Sequence, residues 1–159
     1  MFTIAASSIP NTTEMNNDFS IEVSNRQSRL PVDEKGLCVA CDSVLAETEF
    51  EAAEISLVVV CDQEMHQLND EHLAHDYPTD VLSFPLERSE TFLAGEIIVS
   101  ADTANSECQS HGLSYDQELL LYVIHGLLHL VGYDDKSDET RVIMRQKEKY
   151  FMEKNGVNL

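Results

Sequence analysis

Apolar and polar positions alternate over residues 19–24 (FSIEVS), the period-two pattern of a half-buried strand. After Pro31 the period lengthens: Leu37, Cys38, Cys41, Val44 and Leu45 recur at helical spacing and predict an amphipathic helix. Residues 55–61 (ISLVVVC) are a continuous, largely β-branched run, which predicts a strand buried on both faces. Asp62 is placed to cap a following helix that carries Met65 and Leu68 on one face. The polar stretch HDYPTD then leads to VLSF, a short strand expected to close at Pro85, and GEIIVSA (95–101) predicts another strand. Gly112 is expected to end the helix after it. Ser114 with Gln117 forms a capping-box pattern for a helix running to Val131 and stopping at Gly132, and Asp138 opens a final helix. The order β-α-β-α-β-β-α-α-α combines crossovers with one hairpin. It predicts a single α+β domain built on a mixed four-stranded sheet, spanning residues 19–159 behind a disordered tail over 1–18.

One helix departs from the amphipathic pattern. LLLYVIHGLLHLVGYDD (119–135) is apolar on every side, so it should be buried on nearly all faces, yet His125 and His129 interrupt it at i and i+4. That spacing projects both rings from one face about a turn apart. Two neighbouring buried imidazoles repel if charged and need separate partners if neutral, whereas one divalent cation satisfies both. Gly132 lets the backbone turn sharply after the helix, and Asp135 follows six positions after His129, giving H-x-x-x-H-x-x-G-x-x-D. Three protein ligands with an open position is the arrangement of a catalytic zinc site, and two imidazoles with one carboxylate suit a single Zn2+ ion. Asp134 is the alternative carboxylate, but the spacing favours its neighbour. An anionic third ligand cancels one unit of metal charge and weakens Lewis acidity. Gly126 stands where HExxH peptidases carry their general base, which opposes a metallopeptidase, and the H-x-D arrangement of iron oxygenases is absent.

Charge sets a second constraint. The 159-residue chain carries 29 acidic against 10 basic side chains, a formal net charge of −19. Arg88 is the only basic residue in the hundred positions from Gly36 to Asp135. A broad basic face for polyphosphate is therefore excluded, DNA is not expected as a partner, and contact with free RNA should be weak and salt-sensitive. No apolar run reaches the length needed to cross a bilayer. The first 17 residues hold no Lys or Arg and resemble neither a secretory nor an organellar signal, so a cytoplasmic location with reduced thiols is expected. Cys38 and Cys41 form a lone CxxC inside an apolar helical repeat, which reads as core rather than as half a zinc site.

These residues carry a family resemblance. HGLLHLVGYDD resembles the HGxLHLxGYDH signature of the YbeY family of metal-dependent, single-strand-specific endoribonucleases. PTDVLSFP (78–85) and LAGEIIVSADTA (93–104) resemble two further family blocks, and Glu118 also fits. The resemblance implies an α+β metallohydrolase fold with a cleft between the sheet and the metal helix. It also implies a role in 16S rRNA 3′-end maturation, with rRNA of the small ribosomal subunit and ribosomal proteins or assembly factors as partners.

Two departures matter: the family's third ligand is usually His where this chain has Asp135, and its block before PTDVLSFP commonly carries an Arg where this chain has Leu73. A phosphate clamp must then come from elsewhere. Arg88 is the central candidate, although a solvated loop charge is its simpler reading. Asp80 is a candidate general base, or a carboxylate supporting a metal ligand, beside Thr79 and Ser83, and His72 and His75 are further proton-transfer candidates. The basic final helix, with Arg141, Arg145, Lys147 and Lys149, reads as a solvated face because Asp138, Glu139, Glu148 and Glu153 are interspersed. The alternative to an active nuclease is a weakly catalytic or non-catalytic ribosome-assembly factor.

Overall fold

The computed structural model describes residues 17–73 and 80–159, with the side chains of residues 72 and 73 also outside the description. Residues 1–16 of the expected tail therefore lie outside the described residues, and its last residue, Asp18, already belongs to the first strand. The elements are β1 (Asp18–Asn25), α1 (Glu34–Leu45), β2 (Ala52–Val60), α2 (Asp62–Leu73), β3 (Val81–Arg88), β4 (Phe92–Ser100), α3 (Ala101–Glu107), α4 (Tyr115–Val131) and α5 (Asp138–Lys154), with a 3-10 turn at Cys108–His111. This is the expected order in a single α+β fold. Among the described residues no helix is long and apolar enough to cross a membrane.

The four strands form one mixed sheet in the order β1-β2-β4-β3. β1 pairs parallel to β2 with Ile21 opposite Ile55, β2 pairs parallel to β4 with Leu57 opposite Ile97, and β3 returns antiparallel with Leu82 opposite Ile98. The period-two alternation sorts side chains to two faces. Ala53, Ile55, Leu57, Val59, Leu93, Ile97 and Val99 join the main core with α1, α4 and α5. Val58, Val60, Leu82 and Ile98 turn to the other face and meet Met65 of α2 in a smaller core. The middle strands are thus apolar on both sides, which explains the unbroken run read in β2.

α4 lies in the main core, packed against α1, α3, α5, β3 and β4, and most of its apolar residues are buried for that reason, with Leu120, Leu121 and Val131 partly so. Ser114 accepts from the Gln117 backbone N–H and Gln117 returns the bond, the capping box read from sequence. The helix ends at Gly132, whose φ of 119° is strained for any side chain. Gly126 serves packing instead. A Cβ there would sit 2.8 Å from Ile97 Cγ2 and 3.0 Å from Val81 Cγ2, so its absence lets α4 approach β3 and β4.

Three local expectations are corrected. β3 does not close at Pro85 but continues to Arg88, because β3 is an edge strand whose outer N–H groups need no partner, and a bulge between Pro85 and Glu87 absorbs the irregularity. Arg88 is consequently the last residue of a strand rather than a loop charge. Asp62 does not cap α2 but begins it; its Oδ1 accepts from Ser100 Oγ and Thr103 Oγ1, tying α2 to the start of α3. Cys41 is buried with Leu37, Val44 and Leu45 and its thiol pKa is pushed up chiefly by burial, so it behaves as core.

Candidate metal centre

The site is assembled by three neighbouring pieces: the inner face of α4, the turn that Gly132 permits, and one side chain from α5. His125 and His129 point their Nε2 atoms at each other across 3.0 Å, and Asp135 Oδ2 lies 3.7 Å from both. The three candidate ligand atoms fall within 4.8 Å of one another. Zinc bonds of about 2.0–2.1 Å in a tetrahedral arrangement separate neighbouring donors by roughly 3.3 Å. The observed spacings bracket that value, and two neutral imidazoles plus one carboxylate are a fitting donor set for a divalent cation.

The ring orientations are fixed from behind. His125 Nδ1 donates to Glu148 Oε1 of α5 at 2.5 Å, which leaves Nε2 as the nitrogen facing the cluster. Burial opposes a charged His125, but the Glu148 hydrogen bond and charge, helped by Asp135 and Asp80, outweigh it and hold the ring above its usual range. His129 moves the other way, lowered by burial and then by the His125 charge, with the Asp135 charge and then a backbone hydrogen bond at Tyr133 as counterweights.

The carboxylate choice follows from the turn. Tyr133 N–H donates to the Leu128 carbonyl at 3.0 Å, which folds the chain back along α4 and delivers Asp135 to the histidines. Asp134 faces outward instead; its Oδ1 accepts from the Lys136 N–H at 3.1 Å, and that bond with one from Thr140 holds its pKa below the usual range.

Two cavities meet at the cluster. One, of about 420 Å³, lies along β3 and is walled by Asp80, Val81, Leu82, Ser83 and Phe84 with all three candidate ligands. The other, of about 190 Å³, lies between α4 and α5 and includes Asp80, Glu118, Tyr122, Arg141, Arg145 and Glu148 with His125 and Asp135. Asp80 is therefore on the wall of both, with its Oδ1 accepting the Val81 N–H at 2.9 Å. Ser83 Oγ donates to the Gly126 carbonyl at 3.0 Å and so ties β3 to the metal helix. Glu118 is fully buried, 2.7 Å from His111 Nδ1. The Tyr122 phenol near it is held protonated, first by burial and then by Glu118 and Asp80.

Arg88 is not part of this group. Its guanidinium lies 3.5 and 3.4 Å from the Leu130 and Val131 carbonyls and 5.5 Å from the centre of the Phe50 ring. It neutralises the carbonyl end of α4 from a groove shared with Glu47, Thr48 and Tyr133. His75 and Thr79 and the side chains of His72 and Leu73 lie outside the described residues. Sequence reasoning missed Glu148 as a histidine anchor. The signal was available, since Glu148 stands four residues from both Met144 and Met152, which are buried.

A family model described as endoribonuclease YbeY matches residues 22–156. Relatives bearing that name include one from Desulforamulus reducens, 35% identical over 151 residues, with 87% of this chain and 99% of that protein covered. Another, from Chloroherpeton thalassium, is 42% identical over 113 residues, covering 71% and 79%. A third, from Rhodopirellula baltica, is 48% identical over 105 residues; the match covers 64% of this chain and 54% of that longer protein. Among solved structures, the solution structure of TM1509 from Thermotoga maritima superposes with a TM-score of 0.62 at 28% identity, covering 85% of this chain and 88% of that one.

Proposed function

The chain belongs to the endoribonuclease YbeY family, a family of hydrolases, and on that premise we propose that it is a zinc-dependent, single-strand-specific endoribonuclease acting in 16S rRNA 3′-end maturation. The observation that carries the reading is the convergence of His125 Nε2, His129 Nε2 and Asp135 Oδ2 where two cavities meet. The two cavities share Asp80, His125 and Asp135 in their walls.

When bound, one zinc ion supplies Lewis acidity toward the phosphodiester. The chain's residues divide the remaining work. His125 and His129 would hold the ion through their Nε2 atoms, with Glu148 fixing the His125 ring. Asp135 contributes charge that tempers the site's acidity, so this chain should be slower than one with a third imidazole at that position. Asp80, which like Asp135 is on the wall of both cavities, is our proposed proton acceptor. A peptidase mechanism finds no base at residue 126, where the close approach of Ile97 and Val81 leaves no space for a glutamate.

A net charge of −19 disfavours tight capture of free RNA. We propose that it acts in the cytoplasm on small-subunit rRNA presented by ribosomal proteins or assembly factors. The test is cleavage of single-stranded RNA by purified protein of measured metal content. Activity should vanish on chelation, return with zinc and be absent in His125→Ala. Undiminished cleavage after complete metal removal would sink the proposal, and pre-ribosome association without any cleavage would favour an assembly factor instead.

A further inference from the structure

The arginine expected ahead of PTDVLSFP is absent from this sequence, and Arg88 is engaged at the end of α4, so neither supplies a guanidinium to the cluster. Two others line the cavity beside it. Arg141 and Arg145 of α5 wall the cavity that also holds His125 and Asp135. They stand at i and i+4, one turn apart on one helix face, a step of the order of that between successive phosphates in an extended strand. Between them in sequence Met144 is buried, and Glu148, one turn further on, contacts His125.

The remaining basic residues of α5 do not share this position. Lys147 Nζ lies 5.7 Å from the centre of the Tyr133 ring, Lys149 pairs with Glu153 and Lys154 with Glu47. Arg145 has no ion pair among the described residues, and Arg141 pairs with Asp138, whose side chain is 96% exposed. A solvated pair of that kind holds a guanidinium weakly, whereas a phosphate accepts two parallel N–H bonds from it. The cavity's charge makes the subsite conditional. Counted formally with His111 and His125 neutral, Asp80, Glu118, Asp135 and Glu148 against Arg141 and Arg145 leave 4 − 2 = 2 negative charges, which a divalent cation at the histidines would cancel.

We infer that Arg141 and Arg145 form a phosphate-binding subsite for the backbone of single-stranded RNA beside the metal centre, available only when the cation is held. The inference rests on the endoribonuclease reading and names the contact that replaces the missing clamp.

The experiment measures binding of a short 2′-O-methyl single-stranded RNA to the zinc-loaded chain across a salt series, alongside cleavage of the unmodified RNA. In Arg141→Gln/Arg145→Gln the slope of log affinity against log salt should fall by about 1.4, roughly 0.7 for each phosphate contact removed. KM should rise, and zinc content and denaturation midpoint should stay as in the unaltered chain. Arg141→Lys/Arg145→Lys should keep the slope, as should Lys149→Gln, which removes one charge from outside the cavity. Binding to the metal-free chain should be weaker than to the loaded one. An unchanged slope in the glutamine pair, in a chain that still binds and cuts RNA, overturns this inference alone; so does equal binding with and without zinc. Failure of the zinc-loaded, unaltered chain to bind or cut single-stranded RNA overturns the endoribonuclease reading and the subsite with it.

Discussion

Glu148 Oε1 and His125 Nδ1 are 2.5 Å apart although 23 residues separate them, so α5 orients a candidate metal ligand on α4. Removing the charge by Glu148→Gln should weaken zinc affinity roughly 10- to 100-fold, the usual effect of losing a partner behind a ligating histidine. Competition with a chromophoric chelator measures this without reference to activity. Equal affinities in the two chains would show that packing alone sets the ring.

Asp135 and Asp134 are adjacent in sequence but face opposite ways, which separates their variants. Asp135→Ala should lose stoichiometric zinc while Asp134→Ala retains it, by elemental analysis after dialysis. Asp135→His should keep the metal and cleave RNA faster, because a neutral third ligand leaves more charge on the ion. A slower histidine variant with full zinc would contradict this account of Asp135.

Zinc should also stabilise the fold, since its ligands join α4 to the turn that follows. At free zinc about 100 times the dissociation constant the gain is about 2.7 kcal/mol. Thermal unfolding should rise by several degrees on zinc addition, and His129→Ala should remove the increment. The same rise in the variant would place the stabilising ion elsewhere.

Gly126 separates crowding from helix propensity. Alanine at an exposed helical site would gain about 1 kcal/mol over glycine. Here the new Cβ would lie 2.8 Å from Ile97 Cγ2, and overpacking costs about 1–3 kcal/mol. Gly126→Ala should therefore lose about 1 kcal/mol net in urea denaturation, and Gly126→Val more. A stabilised alanine variant would mean that α4 can shift from the sheet freely.

Arg88 faces the carbonyl end of α4 at distances of 3.4 and 3.5 Å. Arg88→Ala should cost about 0.5–1 kcal/mol of stability and leave RNA cleavage unchanged. Loss of cleavage with an unchanged denaturation midpoint would instead give Arg88 a part in catalysis.

Much of this molecule is legible in its sequence because the signals are local. The alternation in β1, the apolar run in β2, the capping box at Ser114 and the left-handed Gly132 each depend on neighbours a few residues away, and each element formed where they indicated. The i, i+4 histidines and the glycine turn likewise predicted three ligands from one short segment, and the fold brings those atoms together. Pro85 misled because its meaning depends on strand position: it would disrupt an interior strand but is accommodated at the edge, and edge position is a property of the sheet.

The sequence by itself determined the elements, their order and the candidate ligand triad, since periodicity, capping and turn chemistry act over a few residues. Only the tertiary structure decided what surrounds the triad. The docking of α5 on α4 gave Glu148 to His125 and aligned Arg141 and Arg145 on the adjoining cavity, whereas the run of β3 to its end sent Arg88 to the helix terminus. Such contacts join residues distant along the chain, and the geometry of helix and sheet packing selects them.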